Sequence, residues 1–111
     1  TFGQPLSKFQ SWRHRLAEVR TTIEAARQLT YWACDRLSRD TPDAGLAVSM
    51  AKLFACEQVK RVANEVLQLH GGYGYIEEYP VCRLYRDVAG FTIGAGTSEI
   101  MREIIAREER L

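Results

Sequence analysis

Residues 41–72 read TPDAGLAVSMAKLFACEQVKRVANEVLQLHGG, and this stretch decides the architecture. Thr41-Pro42-Asp43 has the make-up of a helix start: a hydroxyl residue at the cap, a proline where its missing N–H costs nothing, and an acid in the first turn. The pattern predicts a helix from about Pro42 to His70, with Leu46, Met50, Leu53, Cys56, Val59, Ala63, Val66 and Leu67 on its buried stripe. Gly71 and Gly72 supply the left-handed geometry that ends it.

Working outward, Leu6 to Arg39 contains no proline or glycine. Apolar residues recur there at Leu6, Phe9, Leu16, Val19, Ile23, Ala26, Leu29, Ala33 and Leu37, the spacing of one long helix. At 1.5 Å per residue it would span about 50 Å, longer than a compact domain of this size is wide, so it is expected to lie in a bundle and extend into a partner. Downstream, Pro80 opens a short helix through about Val88, carrying Arg83, Arg86 and Asp87 on exposed or interhelical faces. After a glycine-containing loop, Thr97 and Ser98 can cap a last helix whose apolar side is Ile100, Met101, Ile104 and Ile105. The expected fold is all-α, an antiparallel helical bundle in one domain spanning residues 1–111.

Composition narrows function only a little. The 111 residues carry a formal net charge of +1, so no overall field draws the chain to nucleic acid or a membrane surface. No stretch approaches the roughly 20 apolar residues of a membrane span, and no basic region followed by an apolar one marks a secretory leader. Cys34, Cys56 and Cys82 form no C-x-x-C pair and are odd in number, so they read as free thiols in a reducing compartment. Neither His14 nor His70 has a second histidine or a cysteine at metal-ligand spacing, and no metal site is expected. His70, at a helix C-terminus, is expected to meet the negative end of the macrodipole. Glu77 and Glu78 are adjacent and point apart, which argues against a catalytic carboxylate pair. Trp12, Tyr31 and Trp32 read as packing or interface residues.

Residues 68–87, QLHGGYGYIEEYPVCRLYRD, hold the most specific pattern: Gln68, Gly71, Gly72, Gly74, Tyr75, Glu78, Arg83 and Asp87 at fixed spacing. It is no dinucleotide fingerprint, since G-x-G-x-x-G is absent and no strand precedes it. Taken by itself, the glycine run is a helix cap followed by a tight turn. The pattern nevertheless closely resembles the signature of the acyl-CoA dehydrogenase family. The opening TFGQPLSKFQ and the IGAGTSEI of residues 93–100 resemble two further blocks of that family in the same order, so the resemblance covers nearly the whole chain. It implies a fragment: the family places a helical domain, a β-domain and at least one more helix of this bundle upstream, leaving the bundle incomplete on its N-terminal side.

The resemblance also implies roles. Gln10, otherwise a solvated helix residue, and Gln68, Leu69, His70, Gly71 and Gly72 would approach the adenine-dinucleotide half of an FAD held by the partner subunit. Glycine suits that closeness because it carries no side chain. Thr97, Ser98 and Glu99, otherwise a capping cluster, would touch the subunit's own FAD near its ribityl-pyrophosphate, where free helix N–H donors and a hydroxyl suit an anion. Glu99 is ill suited to a phosphate, and a hydroxyl or amide partner is expected for it.

Family chemistry removes the proton α to a thioester carbonyl with a glutamate while hydride leaves to the flavin. Many members carry that glutamate just before the Gly-Thr of the last loop, but here the position is Ala95, which cannot act as a base. The reading adopted is that the chain goes with the isovaleryl-CoA and long-chain dehydrogenases, whose base reaches in from the preceding helix; the alternative is loss of activity. Ala95 and Gly96 would still line the substrate site, Ala95 offering its backbone N–H to the thioester oxygen. No catalytic side chain is assigned within the chain.

The implied parent oxidises an acyl-CoA to the trans-2-enoyl-CoA and passes electrons to an electron-transferring flavoprotein. It is expected as a homo-dimer or homo-tetramer in a bacterial cytoplasm or the mitochondrial matrix, with the fragment inactive by itself. A non-catalytic helical association module and an acyl-CoA oxidase-like flavoenzyme stay open beside it. A glutamate on the preceding helix and an arginine two residues before Thr1 would separate enzyme from module.

Overall fold

The computed structural model describes residues 2–111; Thr1, the first residue of the opening block, lies outside them. Four helices follow one another: α1 (Gln10–Ser38), α2 (Ala44–His70), α3 (Pro80–Val88) and α4 (Ser98–Glu108), with short 3-10 turns at Leu6–Lys8, Gly71–Tyr75 and Ala89–Thr92. The class is all-α, as the sequence indicates.

The first helix begins later than its apolar spacing suggests. Phe9 is extended at φ −79° and ψ 130°, so Leu6–Lys8 forms a separate turn closed by Lys8 N–H to Pro5 O and Phe9 N–H to Leu6 O, each 3.0 Å. Only from Gln10 does α1 run unbroken for 29 residues, about 44 Å at the helical rise. It ends in a Schellman closure: Asp40 takes φ +50°, Asp40 N–H donates to Leu37 O and Thr41 N–H to Arg36 O, both 3.1 Å. Aspartate fills a place usually given to glycine because its short polar side chain tolerates the left-handed region.

That closure moves the start of α2. Thr41 belongs to the turn and not to the cap: its hydroxyl donates to Asp43 Oδ1 at 2.6 Å, with Arg36 O 3.2 Å away. The helix opens at Ala44, with Asp43 as N-cap residue but without a side-chain cap bond.

Helices α1 and α2 form an antiparallel hairpin whose register shows in its cross-helix pairs. Arg36 faces Asp43 (3.8 Å) near the turn, Arg61 faces Glu18 (4.0 Å) further along, and Arg15 faces Glu65 (2.9 Å) near the open end. The Arg15 approach is an ion pair without an aligned hydrogen bond. The seam is small-residue packing: Ala33, Ala47 and Ala51 form the buried cluster, flanked by Leu29 and Trp32. Ala47 is fully buried. The large apolar residues expected on the buried stripe of α2 are half-buried on its flanks, because close helix approach leaves room only for alanine at the contact line.

Helices α3 and α4 pack on other faces of α2, burying Val81, Val88 and Met101. The whole is elongated, 56 × 26 × 26 Å. No large side chain among the described residues is fully buried, and Ile23, Leu37, Leu84, Phe91, Ile93 and Ile100 lie exposed. Several of these were expected to face a core, and here the apolar faces that carry them are uncovered. No helix among the described residues is long and apolar enough to cross a membrane.

Candidate functional site

The sequence-predicted site residues fall into two clusters, both referenced to α2. The first sits at its C-terminal end. Gln68 and His70 are exposed and Leu69 half-buried on the last turn, where His70 Nδ1 lies 2.7 Å from Val66 O, as a ring N–H donating to one of the terminal carbonyls. Gly71 caps the helix with φ +58° and ψ −139°, a region open essentially to glycine, while its N–H donates to Gln68 O. The glycine pair thus divides its work, since Gly72 adopts no positive φ. Gly74 is buried because the turn folds back onto α2: a Cβ there would sit 2.6 Å from Leu67 O.

Gln10, the first residue of α1, joins this cluster. The Arg15–Glu65 pair sets the start of α1 beside the end of α2, so an exposed glutamine and the exposed Gly71-Gly72 backbone share one end of the hairpin. Nearby, Trp12 is half-buried with the Arg15 guanidinium 4.7 Å from its ring centre. Trp32 packs on the alanine seam, whereas Tyr31 is exposed. Glu77 pairs with Arg86 at 3.4 Å.

The second cluster is the loop entering α4. Gly94 N–H donates to Gly90 O at 2.8 Å, closing the preceding turn. Ala95 then takes φ +54° and Gly96 φ +97°. For a residue with a Cβ the left-handed region is strained by about 1–2 kcal/mol, so Ala95 must be held there by its surroundings. Thr97 is the N-cap: its Oγ1 accepts from Ile100 N–H at 3.2 Å. Ser98, expected to share that role, is instead buried in the first turn. Glu99 is exposed and lies 3.8 Å from Arg102 of its own helix, whose other contact is Glu57 of α2 at 3.3 Å.

Sequence reasoning missed Lys52. From the third turn of α2 its ammonium group donates to the carbonyl of Gly96, tying the loop to the long helix. The available signal was a lone cation inside an otherwise apolar run, residues 50–56. Between Lys52 and Gly71 lie about 28 Å of helix axis. The two clusters are therefore separate places, the first built from an exposed glutamine end and bare glycine backbone, the second from a capped helix N-terminus beside a turned-out loop. The first offers side-chain and backbone amides, the second backbone amides with the hydroxyls of Thr97 and Ser98, donors of the kind that hold a nucleotide or polarise a carbonyl. Among the described residues no group of three His, Cys, Asp or Glu side chains is arranged to hold a metal ion.

Comparison with known proteins agrees with the resemblance. Residues 1–109 match the family described as acyl-CoA dehydrogenase, C-terminal domain. The chain is 43% identical over 105 residues to a 3-(aryl)acrylate reductase of Clostridium sporogenes, covering 95% of this chain and 28% of that protein. It is 43% identical over 110 residues to the mitochondrial isovaleryl-CoA dehydrogenase of Oryza sativa, covering 96% and 26%. The crystal structure of an acyl-CoA dehydrogenase from Geobacillus kaustophilus superposes with a TM-score of 0.95 at 44% identity, over 100% of this chain and 29% of that one. The chain thus spans between a quarter and a third of the length of these proteins.

Proposed function

This chain belongs to the acyl-CoA dehydrogenase family, matching its C-terminal domain, and from that premise we propose that residues 1–111 are the C-terminal bundle of a longer, FAD-dependent enzyme that oxidises an acyl-CoA to the trans-2-enoyl-CoA. The observation that carries this reading is the pair of donor-bearing loops set on one helix, at the positions where the resemblance assigns flavin contacts. Thr97, Ser98 and Glu99 would serve the subunit's own FAD, with Glu99 engaging a hydroxyl or amide; Gln10 and residues 68–72 would reach the FAD of a neighbouring subunit. Their separation along α2 supports two nucleotide sites, and hence a homo-dimer or homo-tetramer.

The flavin would supply hydride acceptance. This chain's residues bind and orient: the backbone at Ala95 and Gly96 lines the thioester, and the Ala95 N–H polarises its carbonyl so that the α-proton becomes acidic enough to remove. The base is assigned upstream, since the side chain at position 95 is a methyl group. The exposed apolar faces support the further reading that other parts of the longer protein cover them. Electron-transferring flavoprotein is the proposed acceptor, and a bacterial cytoplasm or the mitochondrial matrix the proposed setting.

The test is purification of the full-length protein with its flavin, followed by acyl-CoA-dependent dye reduction. Flavin bleaching by saturated acyl thioesters is expected, and none from residues 1–111 alone. A full-length protein that binds no flavin would overturn the reading in favour of a helical association module. Fast reoxidation of the reduced flavin by oxygen would place it with the oxidases, and net reduction of enoyl thioesters would place it with the reductases.

A further inference from the structure

We propose that Lys52 is a positioning residue for the flavin and thioester site, holding the Gly96–Thr97 peptide in the one orientation that presents its N–H to the ligands. The inference rests on the proposed function of the 94–97 loop and adds to it a residue 44 positions away in sequence.

The geometry starts from the peptide unit. A trans peptide is planar, with its C=O and N–H pointing in opposite directions. The Gly96 carbonyl is aimed at α2, where the half-buried Lys52 ammonium donates to it. The Thr97 N–H is thereby sent away from α2. A charged donor on the carbonyl also polarises the peptide and strengthens that N–H as a donor.

The same contact bears on the residue before. Ala95 sits at φ +54° and Gly96 at φ +97°, so two successive residues occupy left-handed backbone, one of them with a Cβ. Such a conformation persists only where several contacts fix it. The loop is pinned at its start by Gly94 N–H on Gly90 O and at its end by the Thr97 cap. Met101 closes one side, since a Cβ on Gly96 would lie 2.7 Å from its Cε. Lys52 supplies the anchor between those ends, at the peptide next to the Ala95 amide. Without it, the Gly96 carbonyl loses its partner on α2, and the orientation of the Thr97 N–H is no longer fixed from that side.

The experiment uses the full-length holoenzyme with substitutions Lys52→Met, Lys52→Gln and Lys52→Arg. Lys60→Met serves as the control for loss of a lysine on the same helix, since among the described residues Lys60 reaches only Thr92, at 3.4 Å. Loss of one charge-assisted hydrogen bond corresponds to about ten- to a hundredfold, expected for Lys52→Met as a raised flavin dissociation constant and a raised KM. A weakened shift of the flavin absorbance on binding a non-reacting thioester should accompany it, with helicity unchanged. Lys52→Arg keeps a charged donor and should stay within about threefold of the parent, with Lys52→Gln between the two. If Lys52→Met does not fold, the Arg and Gln variants decide: Arg no better than Gln overturns the proposal. Gly96→Ala, in the loop itself, separates the two levels. If it disturbs flavin and thioester binding while Lys52→Met does not, only the role of Lys52 falls. If both are silent, the loop is not at the site and the proposed function falls with it.

Discussion

At Gly71–Tyr75 the backbone is shaped by a contact that a side chain would block, whereas at Gly94–Thr97 it is shaped by a cation reaching in from a distant turn. The first loop folds back on the helix it has just left, so its geometry is local and steric. The second is braced from outside, with an alanine accepting a backbone conformation that glycine would take freely. The contrast teaches that bare backbone can be exposed either by removing side chains or by tethering carbonyls. The two devices should fail differently.

The largest effect is expected where sterics are absolute. Gly74→Ala places a methyl group 2.6 Å from the Leu67 carbonyl, and should destabilise the full-length protein by about 1–3 kcal/mol. Chemical denaturation measures it, and a neutral result would mean that the turn can lift off α2. Thr97→Ala removes the cap on Ile100 N–H and should cost about 1 kcal/mol, with Thr97→Ser nearly silent. Equal losses for both would assign the effect to the methyl group's packing.

Ala95→Gly should run the other way. Relief of left-handed strain, offset in part by glycine's greater freedom when unfolded, predicts stabilisation of about 0.5–1 kcal/mol. A loss of stability would show that the Cβ of Ala95 makes a contact worth more than its strain.

The smallest effect lies in neither loop but at the far turn of the hairpin, and calibrates both. Asp43 is held below the ordinary carboxylate range, first by the hydrogen bond from Thr41 and then by the charge of Arg36, against some desolvation. A folded-state pKa lowered in this way stabilises above the unfolded value, and the benefit is lost as pH falls through the folded value. Thr41→Val should therefore lower the melting temperature slightly at neutral pH, with the difference from the parent shrinking in acid. A difference independent of pH would assign the effect to the Arg36 carbonyl contact instead.

Much of this was legible in the sequence because glycine and proline punctuate it. Pro80 and Gly71 mark element boundaries that the structure reproduces, and Thr97 announces the last helix. The errors share a cause. Phe9 has the right apolar spacing for α1, but its extended backbone is set by the Pro5 turn before it. Thr41 has the right chemistry for a cap, yet the end of α1 claims it. Large apolar residues have the spacing of a buried stripe on α2, but a pattern of hydrophobicity does not report how near two helices come, and near approach selects Ala33, Ala47 and Ala51. In the candidate site, glycine positions could be read directly, whereas the Lys52 contact depends on which turn of α2 meets the loop before α4, a tertiary fact.

The unbroken run of α2 has a consequence for how such a protein can vary. Inserting or deleting one residue between Lys52 and Gly71 would shift one attachment point by about 1.5 Å and swing it by about 100° about the axis relative to the other. The helix thus works as a ruler with an angular scale, and chains that share this layout should keep the same residue count across that interval.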